Sequence, residues 1–377
     1  MSQQGYMVIS DITGYTAYLS QSELEHAQDS LSSLLNLLID HTEEPLVVSR
    51  LEGDAVISYS LKGSFIQGQT LVEIVERTYV DFRRALERMV LNTTCTCNAC
   101  RNIPSLDLKF FVHYGEFMLQ QLGGHVEMVG TDVNLVHRLT KNGITEQTAI
   151  TAYVAYTRAA VDALGIEELC GGMAHHMETY EHLGEVQVLV QDMHSVWEQE
   201  QSKNPIRVDP EDALFVVSRD FPVGPALMWD YLTEPKYRAI LMGSHDASVD
   251  GRNDGRIGAG STYYCAHGKS VDPQMIVDWQ PFEQFTFESG ASMPRATSLT
   301  THILTATDGG TRVTVAFGRS RGRLFSRLAY DTLARIIGPR WVRKSCDIIE
   351  GVIQKELASG KVAETSSPLG TLTGGLR

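Results

Sequence analysis

Residues 6–16 read Tyr6-Met7-Val8-Ile9-Ser10-Asp11-Ile12-Thr13-Gly14-Tyr15-Thr16. An apolar run of β type leads into an aspartate and then a glycine turn. This order predicts a buried strand with a carboxylate near its end. A second stretch, Ser49-Arg50-Leu51-Glu52-Gly53-Asp54-Ala55-Val56-Ile57, has the same elements and predicts a hairpin across 46–59, with Asp54 at its turn. Taken singly, an aspartate in a turn is more often a turn residue or a cap than a ligand.

Two later segments add other chemistry. Gly130-Thr131-Asp132-Val133-Asn134-Leu135-Val136-His137-Arg138-Leu139 predicts a helix that carries an amide and a guanidinium four residues apart, on one face. Val112-His113-Tyr114-Gly115-Glu116 predicts the end of an alternating strand. Between these segments, leucines at helical spacing predict a helix over 23–40, and a second amphipathic helix is predicted over 70–91. After them, the pattern predicts a short strand at 149–151 and a helix at 153–164.

These four segments, in their order along the chain, resemble the class III nucleotidyl cyclase domain, the family that makes cyclic AMP or cyclic GMP. The resemblance covers roughly residues 5–192 and implies a ferredoxin-like α/β sandwich. It also implies divalent metal and a homodimer, because sites in this family are built from two subunits. The fold class expected for the whole chain is therefore α+β.

The resemblance implies a role for each matching residue. Asp11, the Ile12 carbonyl and Asp54 would hold Mg²⁺ or Mn²⁺, and Thr13, Gly14, Tyr15 and Thr16 would cradle phosphate. Arg50 and Glu127 would read the base, Asn134 would orient the ribose, and Arg138 would stabilise the charged transition state. ATP is the favoured nucleotide, and GTP or a pyrimidine triphosphate stays open.

One position departs from the family pattern. A lysine that binds the β- and γ-phosphates is expected in the turn before the last strand, where this chain has Leu183 in Tyr180-Glu181-His182-Leu183-Gly184-Glu185. Losing that cation weakens the case for turnover. A nucleotide-binding module without catalysis is therefore the second hypothesis.

The second half of the chain has a different pattern. After a polar linker at 196–210, strand-like runs at 260–266, 274–279, 283–288, 296–306 and 311–318 precede a long amphipathic helix at about 324–357. This order resembles the START/Bet v 1-like helix-grip domains, over roughly 210–357, and implies a cavity for a small apolar ligand. The aromatic candidates for its wall are Trp229, Tyr263, Trp279, Phe285, Phe287 and Trp341. A third hypothesis makes this half a hydrophobic-ligand carrier, with the first half as its dimerisation scaffold.

Three of the six cysteines lie together in Cys95-Thr96-Cys97-Asn98-Ala99-Cys100. In a cytosolic chain such spacing favours metal or redox chemistry over disulfides. A closed zinc site needs four ligands, so Cys95, Cys97 and Cys100 would need a fourth from Cys170, His175, His176 or a partner subunit. Reduced, partly buried thiols are the alternative.

Composition sets the remaining bounds. The 377 residues carry a formal net charge of −14, which argues against nucleic acid as the main partner. A local basic run at 319–344 is either a solvated helix face or a contact for an anionic partner. No apolar run reaches the length of a membrane span and no signal peptide is evident, so a cytoplasmic protein is expected. The expected domains are 1–195 and 211–358, followed by a disordered tail at 359–377.

Overall fold

The computed structural model describes residues 2–42, 45–92, 95, 97–122, 125–252, 254–267, 270–291 and 296–360. The chain divides into two units. Of the described residues, the first unit holds those up to Ser64 and Leu71–Lys203, and the second holds Phe65–Thr70 and residues 204–360. The tail expected at 359–377 lies, beyond Gly360, outside the described residues.

The fold is α+β. The strands of the first unit are β1 (Gln3–Thr13), β2 (Val47–Glu52), β3 (Ala55–Leu61), β4 (Asp107–Leu122), β5 (His125–Val129), β6 (Tyr153–Thr157), β7 (Ala174–Tyr180) and β8 (Gly184–Asp192). Those of the second are β9 (Phe215–Phe221), β10 (Asp246–Asp250), β11 (Thr262–His267), β12 (Ser270–Gln280), β13 (Gln284–Ala291), β14 (Ala296–Thr307), β15 (Gly310–Phe317) and β16 (Arg321–Gly322).

The helices, in chain order, are α1 (Tyr15–Ser20), α2 (Leu24–Thr42), α3 (Gly68–Asn92), α4 (Asn98–Asn102), α5 (Thr131–Leu139), α6 (Ile144–Thr148), α7 (Arg158–Leu164), α8 (Met193–Ser202), α9 (Pro225–Thr233), α10 (Pro235–Met242) and α11 (Leu324–Ala358). Helix α8 runs into the segment 196–210 that the sequence predicts as a linker. Among the described residues, no helix combines the length and the apolar character needed to cross a membrane.

The sheet of the first unit has the order β2-β3-β1-β4-β6-β8-β7, with β5 paired to β4. Strands β4 and β6 run parallel, and the other pairs are antiparallel. The β1 strand lies between β3 and β4, and it is buried from Gly5 to Ser10, which explains its apolar run. This central position holds the end of β1, where Asp11 lies, in a fixed register.

One segment of this sheet differs from the sequence prediction, which puts a strand at 149–151 and a helix at 153–164. Instead, Tyr153–Thr157 forms β6, and α7 follows it. All five residues of β6 are buried between β4 and β8. A strand that is covered on both faces shows no alternation of apolar and polar residues, and its pattern is therefore easily taken for a helix.

The second unit is an antiparallel sheet followed by a long helix. Its strand order is β10-β11-β12-β13-β14-β15-β9, with β16 paired to β14. Its core contains Trp229, Trp279, Phe285 and Phe287, together with Ile349 of α11. Asp230, fully buried in α9, accepts the backbone amides of Ile66 and Gln67. These bonds fix the segment Phe65–Thr70 within this unit.

Candidate functional site

Two carboxylates meet at the end of β1. Asp11 pairs with Ala55 in the register of β1 and β3, so Asp54, in the turn just before β3, lies beside it. The backbone amide of Ile12 donates to the Asp54 carbonyl at 3.3 Å, and the Ile12 side chain is buried. The structure therefore brings together the three residues expected to hold a metal ion.

The charges of this pair are poorly compensated. Burial, and to a lesser extent the Asp54 carboxylate, raise the pKa of Asp11 to about 6, and Lys109 offsets only part of this. Burial also raises the pKa of Asp54. Two adjacent carboxylates that resist ionisation form a donor set that suits a hard divalent cation.

The loop after β1 makes a close backbone approach. Gly14 has φ of +88° and precedes α1, and a Cβ atom there would lie 3.0 Å from the Ser105 carbonyl oxygen. Glycine tolerates both the left-handed conformation and the contact. Thr13 ends β1, whereas Tyr15 and Thr16 begin α1, a helix of six residues. Thr16 is exposed to solvent.

The two residues expected to read the base are in direct contact. Arg50 of β2 donates to Glu127 of β5 at 3.0 Å and forms an ion pair with Glu52 at 2.8 Å. The His137 imidazole lies 3.2 Å from the Arg50 guanidinium and 3.5 Å from Glu52. Burial lowers the pKa of His137. The result is a polar cluster of mixed charge on β2, β5 and α5.

Helix α5 carries the ribose and transition-state candidates. Asn134 and Arg138 are exposed, and neither side chain has a hydrogen bond or an ion pair with another described residue. Asp132, in the first turn of α5, accepts the backbone amide of Glu116 at 2.6 Å. A Cβ atom on Gly115 would lie 2.3 Å from the Asp132 carboxylate. The glycine therefore allows α5 to be anchored on β4.

The sequence predicts that the strand ends near His113, but β4 continues to Leu122, and His113 lies within it. From there it supports the same anchor. The imidazole is buried, with Nδ1 2.9 Å from the Thr157 hydroxyl and Nε2 3.5 Å from Asp132. Burial lowers the pKa of His113. The His-x-Gly pattern in the sequence thus corresponds to a physical contact between β4 and α5, which fixes the helix that presents Asn134 and Arg138.

Leu183 lies in the turn that joins β7 and β8. Its backbone amide donates to the Tyr180 carbonyl at 3.2 Å. His182 and Gly184 on either side of it have positive φ angles. The turn is therefore tight, and the side chain at 183 is only partly exposed.

In the second unit, a cavity of about 350 Å³ lies between the sheet and α11. Phe287 and Trp341, two of the six aromatic candidates, line it. The other four correct the sequence expectation, because they lie in the packed core and not on the cavity wall. They are Trp229, Tyr263, Trp279 and Phe285. Edge-to-face contacts of Trp229 with Trp279 and Phe285, and of Tyr263 with Phe287, hold these side chains in the core.

Two basic side chains, the buried Arg238 and the partly buried His302, line this apolar cavity. Arg238 is 4% exposed, lies over the Phe287 ring and donates to Gln274. No carboxylate of a described residue lies within ion-pair distance of it, and its Nε has no hydrogen-bond partner. Burial and the nearby Arg238 charge lower the pKa of His302 to about 3. The imidazole is therefore neutral, and Arg238 is the cation of the cavity.

The cysteine motif is joined by a histidine. His26 of α2 and Cys95, Cys97 and Cys100 place one ligand atom each within 4.8 Å of one another. The fourth member is thus His26, and not the Cys170, His175 or His176 weighed from the sequence. No sequence pattern points to this histidine, because His26 lies on the exposed face of α2, about seventy residues before the cysteines.

Sequence reasoning also missed Glu52, His137 and Arg238. Glu52 is two residues from Arg50 on one strand, and His137 is three residues from Asn134 on one helix. Strand and helix periodicity could have grouped both pairs. No local pattern marks Arg238, since its importance comes from burial without a counter-charge.

A family model for proteins of unknown function (DUF2652) matches residues 31–148. The uncharacterized protein Rv2561/Rv2562 of Mycobacterium tuberculosis is 28% identical over 153 residues, which are 39% of this chain and 68% of that protein.

Among solved structures, the adenylyl cyclase CyaB from P. aeruginosa is similar at 14% identity and a TM-score of 0.38, covering 51% of this chain and 95% of its own. The guanylyl cyclase Cya2 is similar at 14% identity and a TM-score of 0.36, covering 50% and 92%. Protein MLL2253 from Mesorhizobium loti matches at 16% identity and a TM-score of 0.30, covering 37% and 96%. Likenesses at these scores do not establish an activity for the chain.

Proposed function

We propose that the chain is a homodimeric nucleotidyl cyclase that converts a nucleoside triphosphate, by preference ATP, into its cyclic nucleotide. The observation that carries this proposal is the pair Asp11 and Asp54. Their carboxylates are adjacent and partly buried, and nearby positive charge offsets only part of their negative charge. Asp11 lies just before the loop that contains Gly14.

The residues present fit a divalent cation. Two carboxylates and a nearby backbone carbonyl offer the hard oxygen donors that Mg²⁺ and Mn²⁺ prefer. When bound, such an ion supplies positive charge next to the triphosphate oxygens. The raised pKa of Asp11 is the expected cost of holding this donor set together without a cation.

The reaction makes modest demands on the protein. The ribose 3′-oxygen forms a bond to the α-phosphorus and loses its proton to water. The bond from the α-phosphorus to the bridging oxygen breaks, and pyrophosphate leaves with the electron pair. The protein must hold this geometry and stabilise the developing charge. Arg138 suits the second task because a guanidinium stays charged and can donate to two oxygens. Asn134, one turn earlier on α5, can hold the ribose.

A homodimer is proposed because the resemblance divides each site between two subunits. The exposed Asn134 and Arg138, which have no partner among the described residues, agree with a role toward a second chain or its substrate. Glu127 can accept a hydrogen bond from a base amino group, while Arg50 donates to a ring nitrogen or carbonyl. Their ion pair keeps both groups oriented.

The test is product formation by the purified chain. Wild type is incubated with Mn²⁺ and each of the four common nucleoside triphosphates, and products are separated by mass spectrometry. We expect a cyclic nucleotide that Asp54→Ala abolishes and the control Asp40→Ala, at an exposed position of α2, does not. Metal-dependent nucleotide binding without product from any triphosphate would replace the cyclase with the binding module that Leu183 favours.

For the second unit we propose a small apolar ligand with an anionic end. A buried guanidinium without a counter-charge is costly, and Arg238 lines a cavity that is otherwise mostly apolar. A carboxylate would pair with Arg238 while the apolar part fills the space beside Phe287 and Trp341. Control of the first unit by this ligand would require different affinities for active and inactive states.

Calorimetry with a medium-chain fatty acid, and with the alcohol of equal length, tests this ligand. The acid should bind more tightly than the alcohol in wild type. Equal affinities would contradict the anionic end, and no binding of either would contradict the ligand site. Turnover measured with and without the acid then reports whether binding affects the first unit.

A further inference from the structure

Four side chains from two separate segments converge on one point in the first unit. The His26 Nδ1 atom lies 3.3 Å from the Cys97 Sγ, 3.6 Å from the Cys95 Sγ and 3.9 Å from the Cys100 Sγ. A neutral imidazole nitrogen offers either one proton or one lone pair. It cannot satisfy three sulfur atoms by hydrogen bonding, so this arrangement needs another explanation.

The distances match those around a tetrahedral metal ion. Zinc–sulfur bonds of about 2.3 Å and zinc–nitrogen bonds of about 2.05 Å, at the tetrahedral angle, place nitrogen and sulfur about 3.6 Å apart. The three observed distances scatter around this value. All four ligand atoms also lie within 4.8 Å of one another, as one central ion requires.

The backbone around the cysteines is arranged to support thiolates. The Cys97 amide points at the Cys95 sulfur at 3.5 Å, and the Cys100 amide points at the Cys97 sulfur at 3.4 Å. Cys97 caps α4, and Glu23 accepts the amide of Ala99 at 3.0 Å. The last contact ties the start of α2, where His26 lies, to α4. All four candidate ligands are thus held by local structure.

We propose that His26, Cys95, Cys97 and Cys100 form a closed structural zinc site. Three soft thiolates and one imidazole favour Zn²⁺ over Mg²⁺ or Mn²⁺, and four protein ligands complete a tetrahedron with no position for substrate. This site is separate from the Asp11 and Asp54 pair and does not depend on the proposed cyclase. Its role is to fasten α4 to α2, because zinc binding contributes directly to folding.

Metal content of the full-length chain tests the site. We expect about one zinc per purified chain by elemental mass spectrometry. Cys97→Ser and His26→Ala should each lower zinc content or zinc affinity at least tenfold. Cys170→Ala, at a buried cysteine outside the cluster, should retain the metal. Circular dichroism of each variant confirms that the sheet still forms.

Cobalt substitution gives an independent result. The wild-type chain should show the visible bands of tetrahedral Co²⁺ and sulfur-to-cobalt charge transfer, and Cys97→Ser should lose or shift both. Addition of a chelator should lower the unfolding temperature of wild type but not of Cys97→Ser. Reduced chain without zinc and without cobalt bands, or a disulfide among the three cysteines, would overturn the proposal.

Discussion

The two units each hold charge that their own residues do not fully compensate, but the sign of the charge and its surroundings differ. In the first, Asp11 and Asp54 lie at the end of a central strand, where solvent and ligands can reach them. In the second, Arg238 is 4% exposed and lies against an apolar cavity. The first arrangement suits a hydrated metal ion and a polar substrate. The second suits an apolar ligand with an anionic end.

The two sites also differ in how clearly the sequence reveals their charged residues. The carboxylates belong to short motifs in which strand, turn and aspartate follow one another. Arg238 belongs to no motif, and its place in the cavity wall depends on strands that are distant from it in the chain. In both places, we expect removal of the charge to stabilise the empty protein and to weaken its ligand, because holding the charge is costly until the ligand arrives.

The largest effect is expected at Arg138. Arg138→Ala should lower kcat for cyclic nucleotide formation by about 10³-fold, since it removes a cation directed at developing charge. Arg343→Ala, at an exposed position of α11, serves as the matched control and should leave kcat unchanged. If Arg138→Ala raised KM alone, the guanidinium would serve binding and not the transition state.

The next effect concerns the cavity. Arg238→Met should weaken fatty-acid binding by about 10–100-fold, because it removes a charge-assisted hydrogen bond. The same change should raise the unfolding temperature of the empty chain, which calorimetry measures. A variant that binds the acid as tightly as wild type would show that Arg238 does not face an anionic group.

A third effect concerns Asp11 in the metal-free chain. Its pKa, raised to about 6, exceeds the value of about 3.9 in an unfolded chain. The folded state therefore holds the proton more tightly, and this group's contribution to stability is complete below about pH 4 and is lost as the pH rises through about 6. Asp11→Asn removes this dependence.

At pH 7, Asp11→Asn should therefore raise the free energy of unfolding of the metal-free chain by about 1–3 kcal/mol, with the gap opening between about pH 4 and 6. Denaturant titrations at several pH values measure it. Mn²⁺ should stabilise wild type and not the variant. Equal stabilisation of both by Mn²⁺ would place the cation elsewhere.

The smallest effect is expected at the position that departs from the resemblance. Leu183→Lys should raise kcat/KM severalfold, because the turn between β7 and β8 would then present a cation to the β- and γ-phosphates. Leu183→Gln is the control for polarity without charge. No difference between lysine and glutamine would indicate that this turn does not meet the triphosphate.

The sequence predicted best where local pattern and tertiary position coincide. The apolar run of β1, the hairpin at Asp54 and the helix that carries Asn134 and Arg138 follow from periodicity and turn residues alone. It failed at β6, where burial on both faces removes the alternation. It also failed at the cavity wall, because Phe285 and Phe287 share one face of β13 and only Phe287 reaches the cavity. His26 and Arg238 were missed because their partners are far away in the chain.

The central claim is an active site assembled from two copies of the chain, and mixing two defective variants tests it most directly. Asp54→Ala should abolish cyclic nucleotide formation, and Arg138→Ala should lower it by about 10³-fold. Equal mixing gives about half heterodimers, each with one intact site of two, and cyclic nucleotide formation should therefore recover to about a quarter of the wild-type rate. A mixture that stays as inactive as either variant, beside an active wild type, would contradict a shared site.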